Sequence, residues 1–112
     1  MKLAYENGKL EKLATSGKEL MRKFGPVIGK AAQIRMQMLE AAPNLDAVPT
    51  VPPARRHKLS GDRKGEWSVT IKDGVRICLI PDHDPLPLKP DGDLDLKLIS
   101  DVKIVFIGDY HP

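Results

Sequence analysis

The sequence has little cysteine and no long apolar run. Cys78 is its only cysteine, so an internal disulfide is excluded and a reducing compartment suits the chain. The first twenty residues contain four lysines and no apolar run, which predicts that there is no signal peptide. No stretch approaches the roughly 20 apolar residues that span a bilayer. We therefore expect a cytoplasmic protein that does not enter a membrane.

The chain is long enough for one domain, residues 1–112, and its charge is unevenly distributed. The formal net charge is +3, but residues 1–64 carry 13 basic and 6 acidic groups, whereas residues 65–112 carry 5 and 9. A basic half predicts an anionic partner such as nucleic acid. A solvated helix surface explains the same asymmetry. Charge alone leaves both interpretations open.

The first 42 residues predict a short strand at residues 2–5, followed by helices. Asn7 is a candidate N-cap for a first helical segment. We expect a second helix to end at Gly25, because Pro26 suits the first turn of a new helix. That last helix should run from Val27 to Ala42. Five apolar residues at helical spacing predict its buried face: Val27, Ala31, Ile34, Met38 and Ala41.

Two alternating stretches, residues 66–71 and 75–80, predict a β-hairpin. A two-residue turn between them would mix apolar and charged side chains on each face. A three-residue loop at residues 72–74 instead collects the apolar side chains on one face, so burial favours that register. The predicted cross-strand pairs are Ile71–Val75, Val69–Ile77 and Trp67–Leu79.

The same register places Arg76 on the opposite, open face of the sheet. Its predicted neighbours there are Ser68, Thr70 and Cys78. In this prediction Gly74 takes the left-handed conformation that a three-residue hairpin loop needs.

The remaining segments complete an α+β prediction. Residues 1–42 supply the first strand and the helices, and residues 54–112 supply the sheet. Residues 44–53 contain three prolines and form a stiff linker between them. Residues 82–101 form a loop rich in Pro and Asp, with a short helical turn near its end. The apolar run at residues 102–107 predicts a final strand in the middle of the sheet.

Three motifs occur in a fixed order along the second half of the chain. They are His57-x-Leu59-x-Gly61-Asp62-x-Lys64-Gly65, then Arg76-Ile77 in a strand, then Asp109-Tyr110-His111. This ordered set resembles the RelE/ParE toxin superfamily, in particular its HigB-like "killer protein" branch, and the resemblance covers nearly the whole chain. It implies N-terminal helices packed on one face of a small, mostly antiparallel twisted sheet.

The resemblance also implies a function. It is that of the toxin in a type II toxin–antitoxin system, a ribosome-dependent endoribonuclease that cleaves messenger RNA by 2′-hydroxyl attack without a metal or cofactor. The implied partners are a HigA-like cognate antitoxin, the ribosome and messenger RNA. Such chemistry needs a base for the 2′-hydroxyl, cations for the charged phosphorane and an acid for the leaving oxygen.

Candidate residues exist for each of these roles. The predicted catalytic set is Arg76, Asp109, Tyr110, His111 and His57. Arginine holds two phosphate oxygens and stays charged, while histidine exchanges protons near neutral pH. The predicted RNA-binding set is Arg55, Arg56, Lys58, Arg63 and Lys64.

Each set also has a plainer interpretation. The alternative for Arg76 is an ion pair with Glu66 or Asp62, and a histidine considered alone is more often a surface or capping residue. The terminal motif, without the resemblance, is a polar tail. The basic segment also suits an edge strand whose charges block unwanted pairing.

One departure from the family pattern bears on activity. Some HigB-like toxins carry a catalytic lysine where Ser60 stands here, and Lys58 is a candidate replacement two residues away. Two rival functions therefore stay open: a ParE-like inhibitor of DNA gyrase, and an inactive relative that only binds RNA or its antitoxin. A metal site built from His57, His83 and His111 is not expected, because no pair has helical ligand spacing.

Overall fold

The computed structural model describes residues 1–109 and is built on a five-stranded sheet. The strands are β1 (Lys2–Tyr5), β2 (His57–Lys58), β3 (Trp67–Lys72), β4 (Val75–Pro81) and β5 (Asp101–Gly108). Their order is β1-β5-β4-β3-β2, and only the β1–β5 pair is parallel. The predicted α+β fold with a mostly antiparallel sheet is confirmed, and the last strand lies inside the sheet as predicted.

Two helices precede most of the sheet, α1 (Gly8–Thr15) and α2 (Gly17–Ala41). Asn7 caps α1 as predicted, because its side chain accepts a hydrogen bond from the Leu10 amide at 2.8 Å. Within α2, Gly25 has φ 86° and ψ 167°, a conformation that interrupts the helix. The predicted end of one helix at Gly25 and the start of another at Pro26 are therefore confirmed.

The bend at Gly25 folds the first arm of α2 back against the second. The approach is closest at Gly29, where an added Cβ would lie 2.6 Å from the Cα of Met21. Glycine is needed here because any side chain would meet backbone, which cannot move aside. The two arms form a helical hairpin that packs on one face of the sheet.

The predicted buried face of α2 is confirmed at Ala31 and Met38, which are partly buried and pack against the core, and is wrong at its other members. Val27 is 65% exposed and Ile34 is 52% exposed. The side that turns inward is formed by Gly29, Ala32, Arg35, Met36 and Leu39. This helix is apolar on two sides, so helical spacing alone did not distinguish them. The bend decides, because it sets which side meets the sheet and the first arm.

The β3–β4 hairpin keeps two of the three predicted pairs, Val69–Ile77 and Trp67–Leu79. The third is wrong, since Lys72 rather than Ile71 lies opposite Val75. The turn has two residues, not three: Asp73 and Gly74 take φ 50° and 84°, the signature of a type I′ turn. A bulge at residues 70–72 shifts the register by one, so the apolar pairs still face the helices.

The Pro/Asp-rich segment after β4 is a loop with little regular structure, as predicted, and a 3-10 turn at Leu96–Leu98 lies near its end. His83 fastens the loop to the start of β5. Its Nε2 accepts hydrogen bonds from the amides of Ser100 at 3.1 Å and Asp101 at 3.2 Å. Within residues 1–109, no helix is both long and apolar enough to cross a bilayer.

Candidate functional site

Arg76 lies on a central strand, on the face of the sheet that the helices do not cover. It is opposite Thr70 on β3 and opposite Gly108 on β5, so these residues form one row across the sheet. Strand alternation sends Ile77 and Val75 to the helix-covered face and leaves Arg76 on the other. The hairpin bulge therefore does not move Arg76 from its predicted face.

Arg76 lines a surface depression of about 590 Å³. Its floor includes Ser68 and Thr70, and its wall is formed by parts of residues 50–59. The wall is held in place by the backbone, since the amide of Thr70 donates to the carbonyl of Ala54 at 2.7 Å. Four predicted site residues meet here: Arg76, His57, Arg55 and Arg56.

The described residues that line this depression include no carboxylate. Arginine stays protonated at any physiological pH, so the surface is electropositive. Field lines concentrate in such concave, single-signed surfaces and attract anions. A phosphate group is therefore a suitable ligand for this face of the sheet.

His57 and Lys58 form the short edge strand β2 and point to opposite faces. His57 is exposed, lies opposite Ser68 and belongs to the depression. Lys58 lies opposite Trp67, with its Nζ 6.0 Å from the centre of the indole ring, on the helix side of the sheet. Lys58 is therefore outside the depression. This position does not support the prediction that Lys58 replaces the catalytic lysine that some HigB-like toxins carry at the position of Ser60.

Arg55 and Arg56 are neighbours in sequence with different surroundings. Arg56 donates from Nη1 to the carbonyl of Leu45 at 2.5 Å, and its guanidinium lies 5.6 Å from the Trp67 ring. These contacts fasten the linker to the domain and occupy part of the guanidinium. Arg55 has φ 48°, unusual for a residue with a side chain, and is exposed at the rim of the depression. Arg55 is thus the more available of the two.

Arg63 and Lys64 are not among the residues that line the depression. Arg63 forms an ion pair with Glu66 at 2.8 Å, and its guanidinium lies 4.4 Å from the centre of the Phe106 ring. Glu66, one of the two predicted alternative partners of Arg76, is thus engaged by Arg63. Lys64 is exposed.

Cys78 is two residues after Arg76 on β4 and therefore on the same face of the sheet. It lies between Ser68 on β3 and Phe106 on β5, and it is fully buried. Burial raises the pKa of its thiol to about 11, although the nearby Arg63 and Arg76 lower it and Glu66 raises it further. A thiol with that pKa is protonated at neutral pH and is a poor nucleophile. Cys78 therefore serves packing rather than chemistry.

The end of β5 reaches Arg76. Gly108 is directly opposite Arg76, and Asp109, which is exposed, follows at once. Asp109, the first residue of the predicted terminal motif, is therefore one residue beyond the position opposite Arg76. Tyr110 and His111 lie outside the described residues.

Sequence reasoning missed the wall residues Thr50, Val51 and Pro52. Prolines in the linker indicated stiffness, but nothing local indicated that this segment would border Arg76. Among residues 1–109, no three or more His, Cys, Asp or Glu side chains cluster so as to hold a metal ion.

No protein-family model matches the sequence, and a search of curated proteins gives no match. Solved structures do resemble the fold. A YoeB–YefM complex from Staphylococcus aureus aligns with TM-score 0.54 and 12% identity over 100% of this chain and 98% of that chain. A heterotetrameric YoeB–YefM toxin–antitoxin complex from the same organism aligns with TM-score 0.55 and 11% identity, over 100% and 98% of the two chains.

A third structure, the YoeB/ParE toxin from Agrobacterium tumefaciens, aligns with TM-score 0.55 and 12% identity over 99% of this chain and 100% of that one. All three similarities span nearly the full length of both chains, so the chain shares the fold of these proteins. The HigB-like branch indicated by the sequence motifs is not tested by these neighbours and stays a prediction.

Proposed function

We propose that this protein is the toxin of a type II toxin–antitoxin pair and a metal-independent endoribonuclease that cleaves messenger RNA on the ribosome. One observation carries the proposal: Arg76 and His57 share a single depression that is electropositive and has no carboxylate among its described lining residues. The toxin folds of the structural neighbours support the same proposal. The HigB-like branch and a cytoplasmic location are part of it.

The chemistry follows from the groups in and beside the depression. A base removes the proton of a ribose 2′-hydroxyl, the 2′-oxygen attacks the adjacent phosphorus, and the bond to the 5′-oxygen breaks. The products are a 2′,3′-cyclic phosphate and a 5′-hydroxyl, whose oxygen takes a proton from an acid. This route needs no water and no bound cofactor.

We assign charge stabilisation to Arg76. Negative charge on the phosphate oxygens grows as phosphorus becomes five-coordinate, and a planar guanidinium can donate to two of them at once. The backbone on both sides holds Arg76 in register, so its position is set before the substrate arrives. Preorganised charge of this kind stabilises a transition state more than a mobile ion does.

We assign proton transfer to His57 and His111, one as base and the other as acid. The support for His57 is its exposed place in the depression. The support for His111, and for Tyr110 as a group that stacks on a base, is the sequence resemblance. Asp109 is proposed to orient one of these two neighbours.

The proposed partners follow from the same features. Arg55, at the rim of the depression, and Lys64 are exposed cations and would bind RNA backbone by charge. We propose that the ribosome supplies the rest of the substrate geometry. Two of the structural neighbours are YoeB–YefM complexes, which supports an antitoxin partner for this chain as well.

Primer extension on a defined messenger RNA tests the proposal. Pure protein is incubated with the RNA, with and without programmed ribosomes, and the Arg76→Ala variant is run beside it. We expect cuts only when ribosomes are present and none with the variant. Absence of cuts in both reactions, together with inhibition of DNA gyrase, would overturn the proposal in favour of the ParE-like function. Absence of both activities would indicate a relative that only binds.

A further inference from the structure

The outer edge of β5 is only partly covered by its neighbouring strand. β1 pairs with β5 from Lys2 opposite Asp101 to Tyr5 opposite Ile104, and then the chain turns away into α1. β5 continues to Gly108. Among residues 1–109, no strand pairs with the second half of β5 on that side.

Ile107 directs its backbone groups to this uncovered edge. The amide of Asp82 donates to the carbonyl of Asp101, which fixes which residues of the adjoining strands bond to each other. Bonding alternates along β4, so Cys78 and Arg76 bond towards β5 as Asp82 does. A bulge between Cys78 and Leu79 shifts the register by one residue, and the partners of Cys78 and Arg76 on β5 are therefore Phe106 and Gly108. Ile107 lies between them, so its N–H and C=O point away from β4.

A groove of about 510 Å³ runs along the same edge. The residues of β5 that border it include Val105 and Ile107, and α1 contributes the apolar side chains of Leu10 and Leu13. An uncovered strand edge next to an apolar groove is the arrangement to which extended peptides add as a further strand. The backbone edge supplies hydrogen bonds, and the groove receives alternate side chains.

The rim of the groove sets the charge of the partner. Four cations border it: Lys9, Lys12, Arg22 and Lys23. Glu19 is the one carboxylate among the described lining residues, and it is 3.2 Å from Arg22, which offsets its charge. A partner with acidic side chains complements this rim, whereas a basic partner is repelled.

We propose that this edge binds an extended, acidic peptide segment of a partner protein, which pairs with β5 at Ile107 in line with β1. Nucleic acid also complements a basic rim, but its phosphate backbone neither fills an apolar groove nor forms β-strand hydrogen bonds with a sheet edge. If the proposed function holds, the antitoxin is the natural source of the segment. The inference itself depends only on the edge, the groove and the rim.

A synthetic peptide tests the proposal directly. The probe is a seven-residue peptide of alternating glutamate and valine, labelled with fluorescein, and its binding to the full chain is followed by anisotropy. We expect saturable binding and slower hydrogen exchange at the Ile107 amide. A peptide with lysine in place of glutamate, and one with every backbone nitrogen methylated, should each bind at least tenfold more weakly.

Two protein variants locate the binding. Lys12→Glu should weaken it at least tenfold, whereas Lys30→Glu changes an exposed lysine of α2 outside the groove and should leave it unchanged. Three outcomes would overturn the proposal. They are no binding at millimolar peptide, equal binding of the methylated peptide, and displacement of the peptide by single-stranded RNA whose own binding is lost in Lys12→Glu. Failure here with ribosome-dependent cleavage intact would reject this inference and leave the proposed function standing.

Discussion

The two faces of the central sheet differ in what they carry and in how they are covered. On the helix side, Val69, Ile77 and Leu79 have no exposed surface and lie under the helical hairpin. On the other side, Arg76 and Thr70 are partly exposed, and a depression replaces the helices. One strand, β4, therefore supplies a core residue and a site residue at consecutive positions.

The difference shows how a small domain separates stability from chemistry. Buried apolar area stabilises the fold, so the helix side fixes the register of the strands. Substitutions on that side should lower the free energy of unfolding the most. The other face is then positioned largely by the first, and it can present a charged side chain such as Arg76 to solvent. Substitutions on the two faces should consequently have different kinds of effect.

The largest expected effect is on activity, at Arg76. Arg76→Ala should lower ribosome-dependent cleavage by a factor of about 100 to 1,000, because a preorganised cation at the phosphate is lost. The midpoint of thermal unfolding should change little. Lys97→Ala, an exposed lysine in the loop before β5, is the control and should retain full activity. An unfolded Arg76→Ala protein would contradict the separation of the two faces.

The next effect is on stability, one residue along the same strand. Ile77→Ala should reduce the free energy of unfolding by about 3 kcal/mol, because it removes fully buried methyl groups and leaves a cavity. Urea unfolding measures the change. Activity per folded molecule should be close to wild type. A loss below about 1 kcal/mol would mean that this face is not the core.

A smaller effect is expected in the helical layer. Gly29→Ala should destabilise the protein by about 1–3 kcal/mol, because the new Cβ would lie 2.6 Å from the Cα of Met21. Gly8→Ala meets nothing within 4 Å and should be neutral or slightly stabilising. Thermal unfolding of the two variants gives the contrast. Equal stability would show that the arms of α2 are not in contact.

The smallest effect is a pH dependence on the open face. The pKa of Cys78 is raised by burial from 9.0 to about 11, so the folded state binds the thiol proton more tightly than the unfolded state. The resulting stability is complete below pH 9 and is lost as pH rises towards 11. Cys78→Ala should remove this part of the alkaline loss, measured by urea unfolding at several pH values. An unchanged pH profile would show that the thiol is not shielded from water.

Local signals in the sequence identified features that depend on local chemistry. Asn7 and Gly25 are such cases, because a cap and a bend are set by the residue's own hydrogen bonding and backbone freedom. The face of Arg76 was also predictable, since one buried face determines the register of a hairpin. The length of the turn was predicted wrongly, since the loop has two residues and not three. Without a bulge, a two-residue turn at Asp73-Gly74 is incompatible with apolar pairs on one face of the sheet. The bulge at residues 70–72 allows both.

Features that depend on how elements pack were harder to predict. Helical spacing selected Val27 and Ile34 as buried because α2 is apolar on two sides, and only its packing partner distinguishes them. The basic residues at positions 55–64 form one run in the sequence, but strand alternation sends His57 and Lys58 to opposite faces. The wall at residues 50–52 had no local signal at all, because its role arises from its distance to Arg76.

The parallel pairing of β1 with β5 has a consequence for how the protein folds. Lys2 lies opposite Asp101, so the first strand pairs with a strand that is almost a whole chain length away in sequence. Closing so long a loop costs conformational entropy and slows folding. A nascent chain that has emerged only as far as the end of β4 has its helices and its hairpin, but neither a closed sheet nor Gly108 beside Arg76. During synthesis, the complete site is thus assembled only once β5 has been made.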